Sequence, residues 1–246
     1  MDIEPKPGYM IVIEGMDGSG KSSVTKIVDR IMREELGQRT LVSRELGGTP
    51  IAEQCRTLAV QSRPDERTHP LTRVFLALAA RNQHYTNVIK PGMDDGKVII
   101  LDRYSPSTLV LQGFVDNQID VLRAILKQHS VRSTFGQDPE YIIYLDVDAE
   151  IAFARGAARK NLDNDAYKTS LDVAKKSNWY YQEVLGHTYE PGSEYDIDGK
   201  PNWHRSSHYP NSTIFQVDVN TFDDVEEKLR KICCQIIENQ SRKTGL

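Results

Sequence analysis

The chain has 246 residues, of which 39% are hydrophobic and 27% charged, and its formal net charge is −4. This suits a globular domain with a sizeable core, and the mild negative charge disfavours a broad nucleic-acid-binding surface. No apolar run approaches the ~20 residues that span a bilayer, which argues against a membrane protein. The stretch MDIEPKPG does not resemble a signal peptide, and Cys55, Cys233 and Cys234 form no C-x-x-C pair. The expected location is cytoplasmic.

Five short apolar segments are predicted to be buried strands, at 9–14, 40–45, 97–102, 141–147 and 213–219. None of them alternates between apolar and polar residues, and helical patterns separate them. Unalternating strands of this kind are typical of a parallel sheet that is covered on both faces. The predicted fold class is therefore α/β, with a five-stranded parallel sheet.

The helices between these strands have recognisable ends. Apolar residues recur at helical spacing from Val24 until Gly37 offers a stop. Thr49 and Pro50 predict the start of a short helix, because a capping hydroxyl is followed by proline at the first helical position. A longer helix is predicted over 71–90, ending before Pro91.

Two segments depart from this alternation. Residues 155–176 are helical in pattern but unusually polar, and residues 186–211 have no periodicity and many glycine, proline, tyrosine and histidine residues. Long loops in compact domains are usually functional or disordered. The prediction is one domain over 1–246, with a polar lid at about 155–176 and an irregular insertion at about 186–211.

The stretch EGMDGSGKSS, residues 14–23, satisfies G-x-x-x-x-G-K-[ST] between a predicted strand and a predicted helix. Glycines let backbone N–H groups surround phosphates, while Lys21 reaches the β and γ phosphates and Ser22 can ligate Mg²⁺. Mg²⁺ is therefore a predicted cofactor. The predicted nucleotide-binding residues are Gly15, Asp17, Gly18, Ser19, Gly20, Lys21, Ser22 and Ser23.

The fate of the γ-phosphate narrows the class of enzyme. No N-K-x-D segment is present, although GTPase switches normally read the base with one. A small P-loop domain with a second phosphate-binding site is suited to passing the phosphoryl group to a nucleotide. A P-loop regulator that hydrolyses nucleotide slowly or not at all is the alternative from another class.

Four further segments carry a family resemblance. SRELGGTPIAEQCR, LAARNQHY, ILDRYSPSTLVLQG and DPEYIIYLDVDAEIAFAR begin at residues 43, 78, 100 and 138. With the phosphate loop, they resemble thymidylate kinases of the bacterial type, in the family's order, over most of residues 8–185. The resemblance implies the P-loop nucleoside-monophosphate kinase fold, transfer of the γ-phosphoryl of ATP to dTMP, and a homodimer.

The resemblance also implies roles for particular residues. Arg81 and Arg103 match positions that hold the acceptor phosphate, and Ser107 matches a contact to the thymine edge. Asp102 matches a carboxylate that positions Mg²⁺ or water. Residues implied to act in the chemistry are Lys21, Asp17, Asp102, Arg103, Arg155 and Arg159. Residues implied to bind the acceptor are Asp17, Glu45, Ala77, Arg81, Arg103, Ser107, Thr108, Leu111, Gln112 and Tyr181.

The predicted lid would supply a positive charge that the phosphate loop lacks. Some members of the family have a catalytic arginine inside the phosphate loop, but MDGSG at 16–20 has none. Arg155, Arg159 and Lys160 resemble the arginine-bearing lid of bacterial-type enzymes, which closes over ATP. Such a lid would exclude water and limit hydrolysis.

Three positions differ from the family pattern. Ala77 stands where a phenylalanine typically stacks on thymine, Leu111 where a ring packs under the deoxyribose, and Leu46 where a proline is usual. Phe75 could restore the stacking ring, in which case dTMP is the acceptor. Alternatively the pocket is widened for another or 5-modified deoxypyrimidine monophosphate, such as 5-hydroxymethyl-dUMP. The rings of residues 186–211 could cap such a pocket or form a subunit contact.

Overall fold

The structure is a computed structural model that describes residues 7–60, 65–127, 137–158, 170–186, 203–204 and 208–243. Its strands are β1 (Tyr9–Glu14), β2 (Thr40–Arg44), β3 (Val98–Asp102), β4 (Tyr141–Asp146), β5 (Trp203–His204) and β6 (Thr213–Asp218). Its helices are α1 (Lys21–Arg30), α2 (Pro50–Val60), α3 (Pro70–His84), α4 (Lys90–Asp94), α5 (Ser105–Thr108), α6 (Ile119–Lys127), α7 (Ala149–Ala157), α8 (Leu171–Leu185) and α9 (Val225–Lys243). Three of the helices continue into π-helical turns, at Ile31–Glu35, Tyr85–Ile89 and Leu109–Val115.

The sheet has the order β2-β3-β1-β4-β6-β5. All pairs among the first five strands are parallel, whereas β5 pairs antiparallel with β6. The five predicted strands and the α/β class are thus confirmed, each strand to within one residue. One strand, β5, was not predicted, and it forms the edge of the sheet beside β6. It falls inside residues 186–211, the segment predicted to be irregular, and most of that segment lies outside the described residues.

Helices cover both faces of the sheet. In β1, Ile11 and Ile13 belong to a core cluster shared with α1, α8 and α9, while Met10 and Val12 pack with side chains from the α3–α4 region. Because successive residues of a strand point to opposite faces, both sets are buried in one unalternating apolar run. The hydrophobic effect therefore fixes β1 in the centre of the sheet, with its carboxyl end leading into the phosphate loop. No helix in the described ranges is long and apolar enough to span a membrane.

The predicted helix end before Pro91 is wrong, because the helical path continues through Pro91 to Asp94. A π-helical turn accommodates the proline. The N–H of Lys90 donates to the carbonyl of Tyr85, five residues earlier, as the last bond of the π-helical turn. Pro91, which has no N–H to donate, is the second residue of α4 and therefore lies where the π-helical pattern has just ended. The chain turns at Gly96, which has a φ of +71°.

Candidate active site

The phosphate loop wraps around the side chain of its own lysine. Lys21 begins α1, and its Nζ donates to the carbonyl oxygens of Gly15 at 3.0 Å and Met16 at 2.7 Å. Burial, together with the neighbouring charge of Arg103, lowers the pKa of Lys21 to about 8. Asp17 Oδ1 lies 4.0 Å from this ammonium, but its two hydrogen-bond acceptors are neutral carbonyls, and the phosphates of a nucleotide would add negative charge beside it.

Two glycines of the loop lie too close to other elements for any side chain. A Cβ at Gly18 would lie 2.0 Å from the carbonyl oxygen of Ala152 in α7, and one at Gly20 would lie 2.4 Å from the ring of Phe222. Both glycines also have positive φ angles, 84° and 91°. The loop is therefore held between α7 and the segment that follows β6, with its N–H groups at the start of α1.

Ser22 and Asp102 meet beside this loop. Ser22 Oγ donates to Asp102 Oδ2 at 2.9 Å, because the pairing of β1 with β3 places Ile13 opposite Asp102. Within the described ranges there is no group of three or more His, Cys, Asp or Glu side chains that could hold a metal by itself. Mg²⁺ fits this pair, since it commonly uses one or two protein oxygens and completes its shell with water and substrate phosphates.

Arg103 connects the phosphate loop to the neighbouring pocket. Its Nη1 donates to Gly15 O at 3.1 Å, Ser107 Oγ at 2.9 Å and Tyr181 OH at 2.8 Å, and its Nη2 pairs with Asp17. The residue has a φ of +71°, which is uncommon outside glycine. This conformation directly after β3 turns the side chain back over the phosphate loop, so the predicted residues Asp17, Ser107 and Tyr181 come together around one guanidinium.

Glu14, which the sequence analysis missed, lies beneath that group. It is fully buried and accepts hydrogen bonds from Tyr104 N at 2.7 Å, Ser107 N at 3.2 Å and Ser107 Oγ at 2.7 Å. Burial raises the pKa of its carboxyl, whereas the charge of Arg103 and the Ser107 bond oppose the shift. An acidic residue at the end of an otherwise apolar buried strand was the available signal, since a buried carboxylate must be paired.

A buried ion pair forms a second layer behind the pocket. Arg81 Nε and Nη2 donate to both carboxylate oxygens of Glu45 at 2.8–3.1 Å, and Nη2 also donates to Thr108 Oγ1 at 2.6 Å. The guanidinium carbon is 5.0 Å from the centre of the Tyr104 ring. Two of its three guanidinium nitrogens therefore bind Glu45, and the role of Arg81 at the acceptor phosphate stays a prediction. Its Nη1 is the nitrogen that these bonds leave unused.

The pocket next to the phosphate loop collects most of the predicted acceptor residues. It is lined by Asp17, Glu45, Leu46, Arg56, Val60, Arg103, Tyr104, Ser107, Thr108, Leu111 and Gln112. Arg81 and Tyr181 lie behind this wall and reach it through hydrogen bonds to Glu45 and Ser107. Sequence reasoning missed Arg56 and Val60, which lie one turn apart on α2. An arginine and an apolar residue four positions apart, hence on one face of a helix, were the only signal.

The two positions that lack the family's rings have different surroundings. Leu111 lines the pocket, but Ala77 does not, and Ala77 is fully buried within α3. Phe75 cannot restore a stacking ring in this arrangement, because its side chain is 54% exposed and lies outside the pocket lining. The proposed rescue by Phe75 is therefore wrong, since residues two apart on a helix project in directions about 200° apart.

Of the residues predicted to act from the lid, the structure describes Arg155, and its side chain is hydrogen-bonded to the loop after β6. Arg155 donates to Val219 O at 2.8 Å and Asn220 O at 2.6 Å, and its guanidinium carbon is 5.3 Å from the centre of the Phe222 ring. Both terminal nitrogens are thus bound to backbone carbonyls of the segment that directly follows β6. A role over ATP would require these bonds to be released or shared. Arg159 and Lys160 lie outside the described residues.

His84 links α3 to strand β2, and its burial predicts that the folded protein loses stability in acid. Its Nε2 lies 2.8 Å from Ser43 Oγ, its side chain is fully buried, and its Nδ1 has no hydrogen-bond partner among the described residues. Burial, reinforced by the charge of Arg81, lowers the pKa of His84 to about 4. Between pH ~6.5 and ~4 the unfolded chain therefore binds a proton that the folded chain excludes.

We expect this difference to reduce the free energy of unfolding by up to about 3 kcal/mol as the pH falls through that window. Urea unfolding at pH 7, 6 and 5 measures it. His84→Gln should flatten the pH dependence, whereas His69→Asn, which replaces an exposed histidine that caps α3 with another capping residue, should leave it unchanged. Equal pH slopes in the wild type and His84→Gln would contradict the expectation.

A phosphate loop on a parallel sheet, joined through Arg103 to an adjacent polar pocket, defines the class of P-loop nucleoside-monophosphate kinases. A sequence model of the thymidylate kinase family matches residues 13–190. Thymidylate kinase from Dinoroseobacter shibae is 39% identical over 155 residues, 63% of this chain and 72% of that protein. Thymidylate kinases from Shewanella frigidimarina and Vibrio vulnificus are each 36% identical over 180 residues, 72% and 73% of this chain and 80% and 82% of those proteins. The chain belongs to the thymidylate kinase family.

Proposed function

We propose that this protein transfers the γ-phosphoryl group of ATP to dTMP, giving dTDP and ADP. The observation that carries the proposal is the convergence of two cations on one atom. Lys21 Nζ and Arg103 Nη1 both donate to the carbonyl oxygen of Gly15, at 3.0 and 3.1 Å. One cation belongs to the loop that holds the donor phosphates, and the other lies in the wall of the acceptor pocket.

Such an arrangement suits phosphoryl transfer, in which the protein mainly positions two phosphates in line and neutralises the charge between them. Lys21 would hold the donor phosphates and Arg103 the acceptor phosphate, while Asp17, paired with Arg103, would orient that guanidinium. Ser22 and Asp102 would hold Mg²⁺, which when bound neutralises phosphate charge. The remaining predicted roles, including lid closure by Arg155 and Arg159, belong to this proposal.

The proposal extends to organisation and location. We infer one kinase domain, a homodimer and a cytoplasmic enzyme. The large apolar side chains of Ile51, Leu58 and Phe75 on α2 and α3 are 43–54% exposed, which favours a partner over those two helices. Such a partner would also bury the exposed ring of Phe75, which does not lie in the pocket and so cannot stack on the base of the acceptor.

The relatives described above are thymidylate kinases, so they do not favour a kinase for another deoxypyrimidine or a regulator without activity. Product formation from ATP, Mg²⁺ and a panel of acceptors tests the proposal. The panel contains dTMP, dUMP, 5-hydroxymethyl-dUMP, dCMP, dGMP, dAMP and UMP. We expect dTMP to give the highest kcat/KM, because the pocket offers Thr108 and Gln112 as hydrogen-bonding side chains and Leu111 as an apolar contact.

Each result has a distinct meaning. A higher kcat/KM for 5-hydroxymethyl-dUMP or dUMP would reject dTMP as the preferred acceptor and point to Leu111 as the altered contact. Binding of ATP without product from any acceptor would reject the enzyme itself. Calorimetric titration with a non-hydrolysable ATP analogue separates that outcome from a misfolded preparation.

A further inference from the structure

Glu14 lies where the phosphate loop and the acceptor pocket join. It is the last residue of β1, directly before the phosphate loop, and its carboxylate binds the start of α5 in the pocket wall. Oε1 accepts from the backbone N–H groups of Tyr104 and Ser107, whereas Oε2 accepts from Ser107 Oγ. The two N–H groups therefore determine which carboxylate oxygen faces the serine hydroxyl.

The hydroxyl of Ser107 connects three other side chains. Glu14 Oε2 lies 2.7 Å from Ser107 Oγ, Arg103 Nη1 lies at 2.9 Å and Tyr181 OH at 2.8 Å. A guanidinium can only donate hydrogen bonds, and an ionised carboxylate can only accept them. The serine proton therefore points to Glu14, and the tyrosine proton points to Ser107. Both hydroxyl oxygens then present a lone pair to Arg103 Nη1, which contacts each of them.

The charge of Glu14 determines this order of donors and acceptors. Burial raises the pKa of its carboxyl. The charges of Arg103 and Lys21 and the hydrogen bonds that the carboxylate accepts act in the opposite direction. The ionised carboxylate balances two cations that would be costly to bury without it. Glu14 therefore acts as a hydrogen-bond acceptor at both of its oxygens.

We propose that Glu14 is a positioning residue for the acceptor phosphate, because it directs both of these hydroxyl protons away from Arg103. The two hydroxyl oxygens then accept from Nη1, which also donates to Gly15 O at 3.1 Å, and together they fix the direction of the guanidinium. Glu14 does not touch the nucleotide, since its side chain is fully buried behind Ser107. The inference rests on the proposed function, in which Arg103 holds the acceptor phosphate.

Glu14→Gln keeps the size of the side chain but reverses the order. The amide oxygen must stay opposite the N–H groups of Tyr104 and Ser107, so the amide NH₂ faces Ser107 Oγ. The serine proton then turns to Tyr181, and the tyrosine proton loses its acceptor. We expect the KM for dTMP to rise about tenfold, the size of effect that one unsatisfied buried donor gives, with the KM for ATP within about twofold of the wild type.

Glu140→Gln is the matched control. Glu140 is a partly buried carboxylate near the other end of β1, where Oε2 accepts from Met10 N at 2.9 Å and Oε1 accepts from Gln137 Nε2 at 2.9 Å. The substitution removes the same charge from a carboxylate that also binds the backbone of β1, but these bonds direct no hydroxyl proton. It should change neither KM.

Ser107→Ala distinguishes this positioning role from a general structural one. Without the serine hydroxyl, residue 14 has no proton to direct, so adding Glu14→Gln to Ser107→Ala should raise the KM for dTMP by less than about twofold more. The same tenfold factor in both backgrounds would overturn the inference. If Glu14→Gln does not fold, Ser107→Ala alone still tests it, because an unchanged KM for dTMP would mean that the hydroxyl between Glu14 and Arg103 has no role.

Nuclear magnetic resonance of the arginine side chains provides a readout that needs no substrate. Arg103 Nη1, held by three oxygens, should rotate slowly about its bond to Cζ in the wild type and in Glu140→Gln, and faster in Glu14→Gln. Loss of the signals in Arg103→Lys assigns them. Equal rotation in the wild type and Glu14→Gln would overturn the inference. If the wild type does not phosphorylate dTMP, the proposed function fails, while this rotation still decides whether Glu14 positions Arg103.

Discussion

Replacing Lys21 with methionine is expected to lower kcat about 10³-fold, with folding nearly intact. The methionine side chain has almost the length of lysine and can fill the same buried space, so little cavity results. The change removes the ammonium that would neutralise the transferred phosphoryl group, and removal of one such preorganised donor costs about 10²–10³ in rate. It also removes the two hydrogen bonds that hold the carbonyls of Gly15 and Met16.

Steady-state kinetics with dTMP and Mg²⁺-ATP measure this effect, and thermal unfolding checks the fold. Lys26→Met is the matched control, because Lys26 lies on the same helix but faces solvent. It should leave kcat within twofold of the wild type. A Lys21→Met enzyme that kept a tenth or more of the wild-type kcat would mean that Lys21 serves the loop conformation and does not act on the phosphates.

The parts of the molecule that could be predicted from sequence are those fixed by local pattern. Residues 9–13 are apolar throughout, and only a central strand of a covered sheet buries such a run on both faces. The cap at Thr49 followed by Pro50 determines the start of α2, and Ala52 N does donate to Thr49 Oγ1, at 3.1 Å. The phosphate loop is likewise local, because its glycines, lysine and serine are contiguous.

The parts that could not be predicted depend on pairs distant in sequence. Arg81 and Glu45 were both assigned to the acceptor, yet their mutual bond, across 36 positions, changes what Arg81 can bind. Glu14 was overlooked because its partners, Tyr104 and Ser107, are 90 and 93 positions away. Tyr209 is a similar case. Sequence periodicity carries no information about which side chain of an aperiodic segment is buried, so the burial of Tyr209 became visible only in three dimensions.

Replacing Arg103 should affect the acceptor far more than the donor. Arg103→Gln removes the charge, and we expect the kcat/KM for dTMP to fall about 10³-fold, because a charged donor at the developing phosphate charge is lost. Arg103→Lys keeps the charge but loses the planar fork that reaches Ser107, Tyr181 and Asp17 together, so a smaller loss of about 10²-fold is expected. The affinity for a non-hydrolysable ATP analogue should change by less than threefold in both variants.

The backbone makes this pair of variants informative. Because Arg103 has a φ of +71°, glutamine and lysine both inherit the same unfavourable conformation, and its cost cancels when the two are compared. Because both variants lack the fork, the difference between them reports the charge, whereas the loss that Arg103→Lys shows against the wild type reports the fork. Arg33→Lys, at an exposed arginine that follows α1, gives the baseline for an arginine-to-lysine change. Should both Arg103 variants keep the wild-type KM and kcat for dTMP, Arg103 would be only a structural link between Gly15 and Ser107, and the acceptor phosphate would have to lie nearer Arg56, the other arginine that lines the pocket.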